Sequence, residues 1–450
     1  MIIGKEEYIR RMEQLQAAVR AHDLDLFLVS AEASIYYLTG VVYMPLERPF
    51  FVLVRPSGPA SLLVPALEQE HLAAAPNVGE VRHYWDYPSP PGEGWPERLC
   101  EMLAGVQALG VEPTLPQEIA ETLRALDPQT LPLVETLRLR KSPAEVEMLR
   151  RAAHYADRGM AKILASSYYG VSEIEIFSLG RSVQTEIIKN TTFDPLTTSV
   201  LTATWPAPAS AMPHGVPSVA DRLMDGPHIG LSFMRVNGYG AECERTYFLA
   251  PPTAQMKEMF ATMRTARERA FALLRPGVAC AEVDEAANGF LRAEGLGDYL
   301  LHRTGHGFGL GNHEGPWVAA GSQDVLAPHM LVSIEPGIYV QGVGGFRHSD
   351  TVLITEDGYE ILTHSPVTLE ELVILDRRQF ARLKGTIVRR AVGCNKPSNP
   401  GFIFLHRGSR FRGPHRMAGI APVVAGELGR RDREERAPAA RSHRDRPRSL

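Results

Sequence analysis

What most restricts how this chain can fold is a set of carboxylates and imidazoles standing inside apolar strand patterns in its second half. Glu335 follows Leu331, Val332 and Ile334, and Glu242 and Glu244 lie two residues apart in a run that reads as a strand, so they share one face. A carboxylate inside a sheet is costly unless a partner meets it, so these positions call for partners from other strands and mark a site. Segments rich in His and Gly point the same way: Met212-Pro-His-Gly215, the run from Thr304 to Pro316, and Gly344-Gly-Phe-Arg-His-Ser-Asp350.

Around these segments the pattern is that of an ordinary globular protein. The chain has 450 residues, 44% hydrophobic and 22% charged, enough for two or three domains. Apolar positions at Tyr8, Met12, Leu15 and Val19 predict a helix over residues 5–22, followed by a strand at 24–30 and a helix at 31–38 that stops at Gly40. Two apolar runs, 50–54 and 60–65, flank Arg55-Pro-Ser-Gly-Pro59 and read as a hairpin. This first part, residues 1–136, is an α/β domain without a motif that carries chemistry. Residues 137–142 read as a linker. Ser142-Pro-Ala-Glu145 is then a capping box that opens a helix, with Val146, Leu149, Ala153, Ala156 and Met160 on one face. A second helix is expected at 172–188, a long one at 254–274, and strands at 331–339 and 351–355; the second domain spans 142–376.

The formal net charge of −4 hides a division. Residues 377–450 carry 19 Lys+Arg against 5 Asp+Glu, which leaves the rest of the chain at −18. An acidic body repels phosphates, so no nucleic-acid partner is expected. The basic stretch reads as a disordered tail, since it holds too little apolar surface to order itself. Four scattered cysteines, no signal-peptide pattern and no apolar run of about 18 residues point to a cytoplasmic protein without a membrane partner. The glycines of 305–311 lack the Lys-Ser/Thr of a phosphate loop, which argues against nucleotide binding.

The run Gly305-His-Gly-x-Gly-Leu-x-x-His-Glu-x-Pro316, with Pro213-His-Gly215 upstream and Ile334-Glu-Pro-Gly-Ile-Tyr339 downstream, resembles the creatinase / aminopeptidase P / prolidase superfamily. The resemblance covers residues 5–376. It implies an α+β, two-domain architecture, an N-terminal α/β creatinase-type domain followed by a pita-bread domain. It also implies a C–N bond hydrolase of Xaa-Pro peptidase or creatinase type, acting on a short peptide or small molecule, and a homodimer.

Metallopeptidases of this superfamily hold two divalent metals with two Asp, one His and two Glu. Carried over by position, these fall on Leu231 or Ser232 (the spacing leaves one residue open), Glu242, His306, Glu335 and Ser349. Two ligand carboxylates are therefore absent, and two close cations need such oxygens to offset their repulsion. These departures from the resemblance lead to an expectation of no metal cofactor. A single divalent ion (Mn, Zn or Co) on Glu242, His306 and Glu335 is possible, and a one- or two-metal Xaa-Pro aminopeptidase or dipeptidase is the alternative. The creatinase branch works without metal, and its catalytic His and two carboxylates fall on His214, Glu244 and Glu335. There, His214 would act as base and acid in turn, Glu244 and Glu335 would hold the substrate, and His306 and His313 would donate to its carbonyl. Arg347 would pair a substrate carboxylate or neutralise the glutamates. A pocket that binds without turnover is the remaining alternative.

Overall fold

The computed structural model describes residues 3–72, 75–192, 194–216 and 218–374. The basic stretch from 377 onward and its expected disorder lie outside them.

The first half builds one six-stranded mixed sheet from β1 (Leu26–Val29), β2 (Phe51–Val54), β3 (Ala60–Pro65), β4 (Val78–Tyr84), β5 (Leu109–Val111) and β6 (Gln129–Thr130), in the order β4-β3-β2-β1-β5-β6. The hairpin β2–β3 is antiparallel as expected, while β4, β5 and β6 join in parallel. Both faces are covered. Leu26, Leu28, Phe51 and Leu53 pack to one side, Phe27, Val29, Val52 and Val54 to the other, which is why these strands read as continuous apolar runs. The helix Lys5–Ala21 buries Tyr8, Met12, Leu15 and Val19. The helix Glu32–Thr39 ends at Gly40, whose φ of +69° costs a glycine nothing.

The second half forms an eight-stranded sheet from β7 (Ser199–Trp205), β8 (His228–Val236), β9 (Tyr239–Tyr247), β10 (Gly305–Gly307), β11 (Glu314–Val318), β12 (Leu331–Ile334), β15 (Ser349–Ile354) and β16 (Tyr359–Ile361). Its order is β11-β10-β12-β15-β9-β8-β7, with β16 taking over the β9 side of β15. A separate ribbon joins β13 (Gly337–Val340) to β14 (Gly344–Arg347).

The helix Pro143–Ser166 starts at the predicted capping box, with Ser142 Oγ accepting from the Glu145 amide and Glu145 returning a bond to the Ser142 amide. It lies on β8 and β9, and Gly159 permits the approach: a Cβ there would stand 2.2 Å from Ser232 Oγ. A cation ties the two halves together. Arg11, wholly buried, donates to the Tyr37 carbonyl and the Tyr239 hydroxyl and lies 3.5 Å from Glu145. Among the described residues no helix is long and apolar enough to cross a membrane.

Three local expectations change. Residues expected as a linker include the end of a helix, Leu133–Leu139. The helix expected at 172–188 is two, Glu173–Phe177 and Gly180–Asn190. The strand expected across 331–339 breaks after Ile334, because Pro336 has no N–H to give a ladder. Glu335 therefore sits at the break, its amide donating to the Thr304 carbonyl, and its side chain is free to leave the sheet plane.

Candidate active site

Antiparallel register decides which side chains meet. In β8 and β9, Leu231 lies opposite Glu244, Ser232 opposite Cys243 and Phe233 opposite Glu242. Ser349 of β15 lies opposite Glu244, and Asp350 opposite Cys243. One face of the sheet thus carries Leu231, Phe233, Glu242, Glu244 and Ser349. The other, under the helices, carries Ser232, Cys243 and Asp350. On that helix side Asp350 accepts from Arg245, Arg267 and Thr363, a buried charge fully met by two guanidinium groups. The residue open between two positions in the sequence resolves here: Leu231 stands on the site face, and Ser232 is turned under the helix.

At the centre Glu242, His306 and Glu335 bring one donor atom each to within 4.8 Å of one another. His306 Nε2 is 3.2 Å from Glu335 Oε1 and 4.0 Å from Glu242 Oε1. His306 Nδ1 is 3.0 Å from the Gly307 carbonyl, which only accepts, so Nδ1 carries the hydrogen and Nε2 faces the carboxylates. Burial alone would lower the imidazole pKa, but the hydrogen bond to Glu335 and the charges of Glu242 and Glu335 raise it. Glu335, which burial would push up, is held down to about 2 by the His306 bond and charge, with help from His302 and Arg347. Glu242 is raised by burial and by Glu335; Ser349 Oγ donates to its Oε1 at 2.7 Å.

Glu244 is already taken. Arg347 Nη2 donates to its Oε1 at 2.6 Å, and Arg347 Nε lies 2.5 Å from its Oε2. Burial pushes the Glu244 carboxyl up, against the pull of Arg347, whose own pKa the pair raises. Arg347 also donates to the Tyr339 hydroxyl at 2.9 Å, and that hydroxyl meets His302 Nε2 at 2.7 Å. Since His302 Nδ1 faces the Arg303 carbonyl, Nε2 is the acceptor, and a directed chain runs from Arg347 through Tyr339 to His302.

His313 lies against His306, ring centroids 3.9 Å apart and planes tilted by 40°, and its pKa falls to about 4 through burial and the neighbouring charges of His306 and Arg303. His214 lies exposed in the loop after Ala211, near enough for its charge to bear on His313. Of the residues singled out in the sequence, Glu242, His306 and Glu335 form the cluster, and Glu244, Arg347 and His313 adjoin it. His214 stands at the rim.

A centre for two cations does not fit this donor set. Leu231 offers no oxygen, Ser349 is neutral and already bonded to Glu242, and Glu244 is occupied by Arg347. A centre for one does fit: two carboxylates and an imidazole of fixed tautomer converge, with the carbonyl of Gly307 as outer support.

Comparison with known proteins supplies the deciding observation. The description Metallopeptidase family M24 matches residues 147–356, and Creatinase/Prolidase N-terminal domain matches residues 11–140, in that order along one chain. The chain belongs to the creatinase/prolidase superfamily. It is a peptidase-type hydrolase of C–N bonds. An uncharacterised peptidase of Staphylococcus aureus is 29% identical over 343 residues, covering 76% of this chain and 95% of that protein. Among solved structures, the dipeptidase PepE of Mycobacterium ulcerans superposes with a TM-score of 0.73 at 28% identity, covering 83% of this chain and 100% of that one. An Xaa-Pro dipeptidase of Bacillus anthracis gives 0.69 at 28%, covering 80% and 99%.

Reading the sequence missed His302, Tyr339 and Arg303. His302 stands four residues before His306 and Tyr339 four after Glu335, a spacing that could have drawn attention to both. Nothing local signals that Tyr339 links Arg347 to His302.

Proposed function

We propose that this chain hydrolyses the bond ahead of proline in short peptides at a centre that takes one divalent cation on Glu242, His306 and Glu335. The observation that carries the reading is the convergence of those three donors within 4.8 Å in a buried setting, beside two positions that offer no carboxylate. A divalent cation there would supply Lewis-acid polarisation of the scissile carbonyl. The protein's own groups do the rest. Glu335 stays anionic and orients His306; Arg347 neutralises Glu244, so that three buried carboxylates do not repel one another unopposed. His214, at the mouth, hands a proton to the leaving nitrogen, while His313, kept neutral, orients the substrate carbonyl by a hydrogen bond.

A metal-free reading also has an observation in its favour. With its pKa raised, His306 can hold a proton between Glu242 and Glu335, which offsets their charge without a cation. In that reading His214 is the base, and Glu335 rather than the occupied Glu244 binds the substrate.

One experiment separates the two. The purified protein is stripped with a chelator, then assayed on alanyl-proline and on guanidino acids, before and after adding Mn²⁺, Zn²⁺ or Co²⁺. Cleavage of the dipeptide restored by one equivalent of metal, and lost in His306→Ala, is the expected result. Full activity in the stripped protein, abolished by His214→Ala, would establish the metal-free route instead. If nothing is cleaved under any condition but these compounds still shift the melting temperature, the pocket binds without turnover.

A further inference from the structure

Three cations grip the loop that carries His313, and the chemistry above uses none of them. The loop spans residues 308–313 between β10 and β11, and Glu314 is the first residue of β11. Glu314 Oε1 accepts from Lys141 Nζ at 3.1 Å, and its Oε2 accepts from the Gly311 amide at 3.0 Å and from Arg138 Nη2. Lys141 Nζ also donates to the Arg138 carbonyl at 2.8 Å. Arg138 lies near the end of the helix Leu133–Leu139 and Lys141 just beyond it, in the segment that joins the two domains. From β8, Arg235 donates to the Leu310 carbonyl and to Asn312 Oδ1.

The glycines that do not make a phosphate loop have a use here. A Cβ on Gly309 would stand 2.9 Å from Glu314 Oε1 and 3.2 Å from Lys141 Cε, and one on Gly311 would stand 3.0 Å from Glu314 Oε2. Bare backbone at both positions lets the carboxylate and the ammonium close on the loop. Burial alone would raise the Glu314 pKa, but Lys141 and Arg138 hold it below the ordinary carboxylate range. The Lys141 side chain is buried as well, so each charge is met by the other out of water.

Glu314 is bonded to His313 through the chain, and it also fixes the Gly311 amide, two residues before His313. One carboxylate thus pins the backbone on both sides of that histidine. His313 is itself exposed; among the described residues its ring meets His306, centroids 3.9 Å apart, and Arg303 Nη2, 3.3 Å from Nδ1. Where the ring sits is therefore set largely by the backbone that presents it.

We propose that Glu314, clamped by Lys141 and Arg138, is a positioning residue that holds His313 against His306 for catalysis. The assignment rests on the peptidase reading given above, in which His313 orients the substrate carbonyl. It gives the segment between the domains a part in the reaction, since the clamp is set by residues that touch neither the substrate nor the Glu242–His306–Glu335 centre.

A double-mutant cycle on alanyl-proline hydrolysis tests this in the full-length, metal-supplemented protein, with Glu314→Gln, His313→Ala and both together. Glu314→Gln should lower kcat by about 10-fold or more and move KM by less than about 3-fold, because a misplaced group costs rate more than binding. In the His313→Ala background the same change should cost less than about 2-fold, since Glu314 acts only through that ring. Lys141→Met should repeat the loss and Lys141→Arg should restore most of the rate. Equal losses in both backgrounds, or a wild-type kcat in Glu314→Gln, would overturn the assignment. Should Glu314→Gln not fold, Lys141→Met with and without His313→Ala makes the same comparison. If the wild type cleaves nothing, the peptidase reading fails, and NMR of ¹³C-labelled histidines still reads the clamp. The His313 ring signal, assigned by His313→Ala, should then shift or broaden in Glu314→Gln while that of buried His228 stays; an unmoved His313 signal removes the clamp.

Discussion

Replacing Arg347 by methionine tests the electrostatic logic of the site most directly. Arg347 and Glu244 are each about 5% exposed at the side chain and meet through two contacts of 2.5–2.6 Å. Arg347→Met strands the Glu244 carboxylate among Glu242 and Glu335, and removing one partner of a buried pair costs about 3–5 kcal/mol. Replacing both, as Glu244→Gln with Arg347→Met, removes the stranded charge and should return to within about 1 kcal/mol of the wild type. Urea unfolding followed by tryptophan fluorescence on the four proteins of the cycle gives the coupling energy, expected at about 3 kcal/mol or more. A single variant within about 0.5 kcal/mol of wild type, or a double variant no better than the single, would refute the claim that Arg347 is committed to Glu244. It would then be free to serve a substrate.

Two further outcomes follow from other contacts. His228 is buried, accepts at Nδ1 from the Ala207 amide and donates from Nε2 to the Met224 carbonyl, so a second proton has nowhere to go and burial lowers its pKa from 6.5 to about 4. Below pH 6.5 the unfolded chain takes up a proton that the folded one refuses, so stability falls from pH 6.5 toward 4, by roughly 3 kcal/mol at most. His228→Asn should flatten the urea-measured pH profile across that window, and an unchanged slope would count against it. Around His306 the glycines are steric necessities, since a Cβ on Gly305 would stand 2.0 Å from the Ser333 carbonyl oxygen and one on Gly307 2.0 Å from that of Gly315. Gly307→Ala should therefore cost about 1–3 kcal/mol and lower turnover by at least about 10-fold; wild-type stability and activity together would contradict the packing.

Much of this was legible in the amino-acid order. The capping box at Ser142, the apolar stripe of the first helix and the β2–β3 hairpin all depend on neighbours within a few residues, and such signals survive in one dimension. Glu242, His306 and Glu335 were legible as well, because carboxylates and imidazoles inside apolar strand patterns require partners. The break after Ile334 was missed because Val332 and Ile338, flanking it, are equally apolar and equally buried; Pro336 alone marks the change of sheet.

The sequence by itself determined the superfamily and the two-part architecture, and it brought forward some, not all, of the charged groups around the site. It could not say which of them were free. Whether position 231 or 232 faced the site turned on a one-residue register, and in a strand one residue reverses the face. That Glu244 belongs to Arg347, 103 residues away, while Arg303 meets no acid among the described residues, follows from how β9, β14 and the β10–β11 pair are laid side by side. A charge buried in a protein is defined by its neighbours across strands, and only the tertiary structure supplies them.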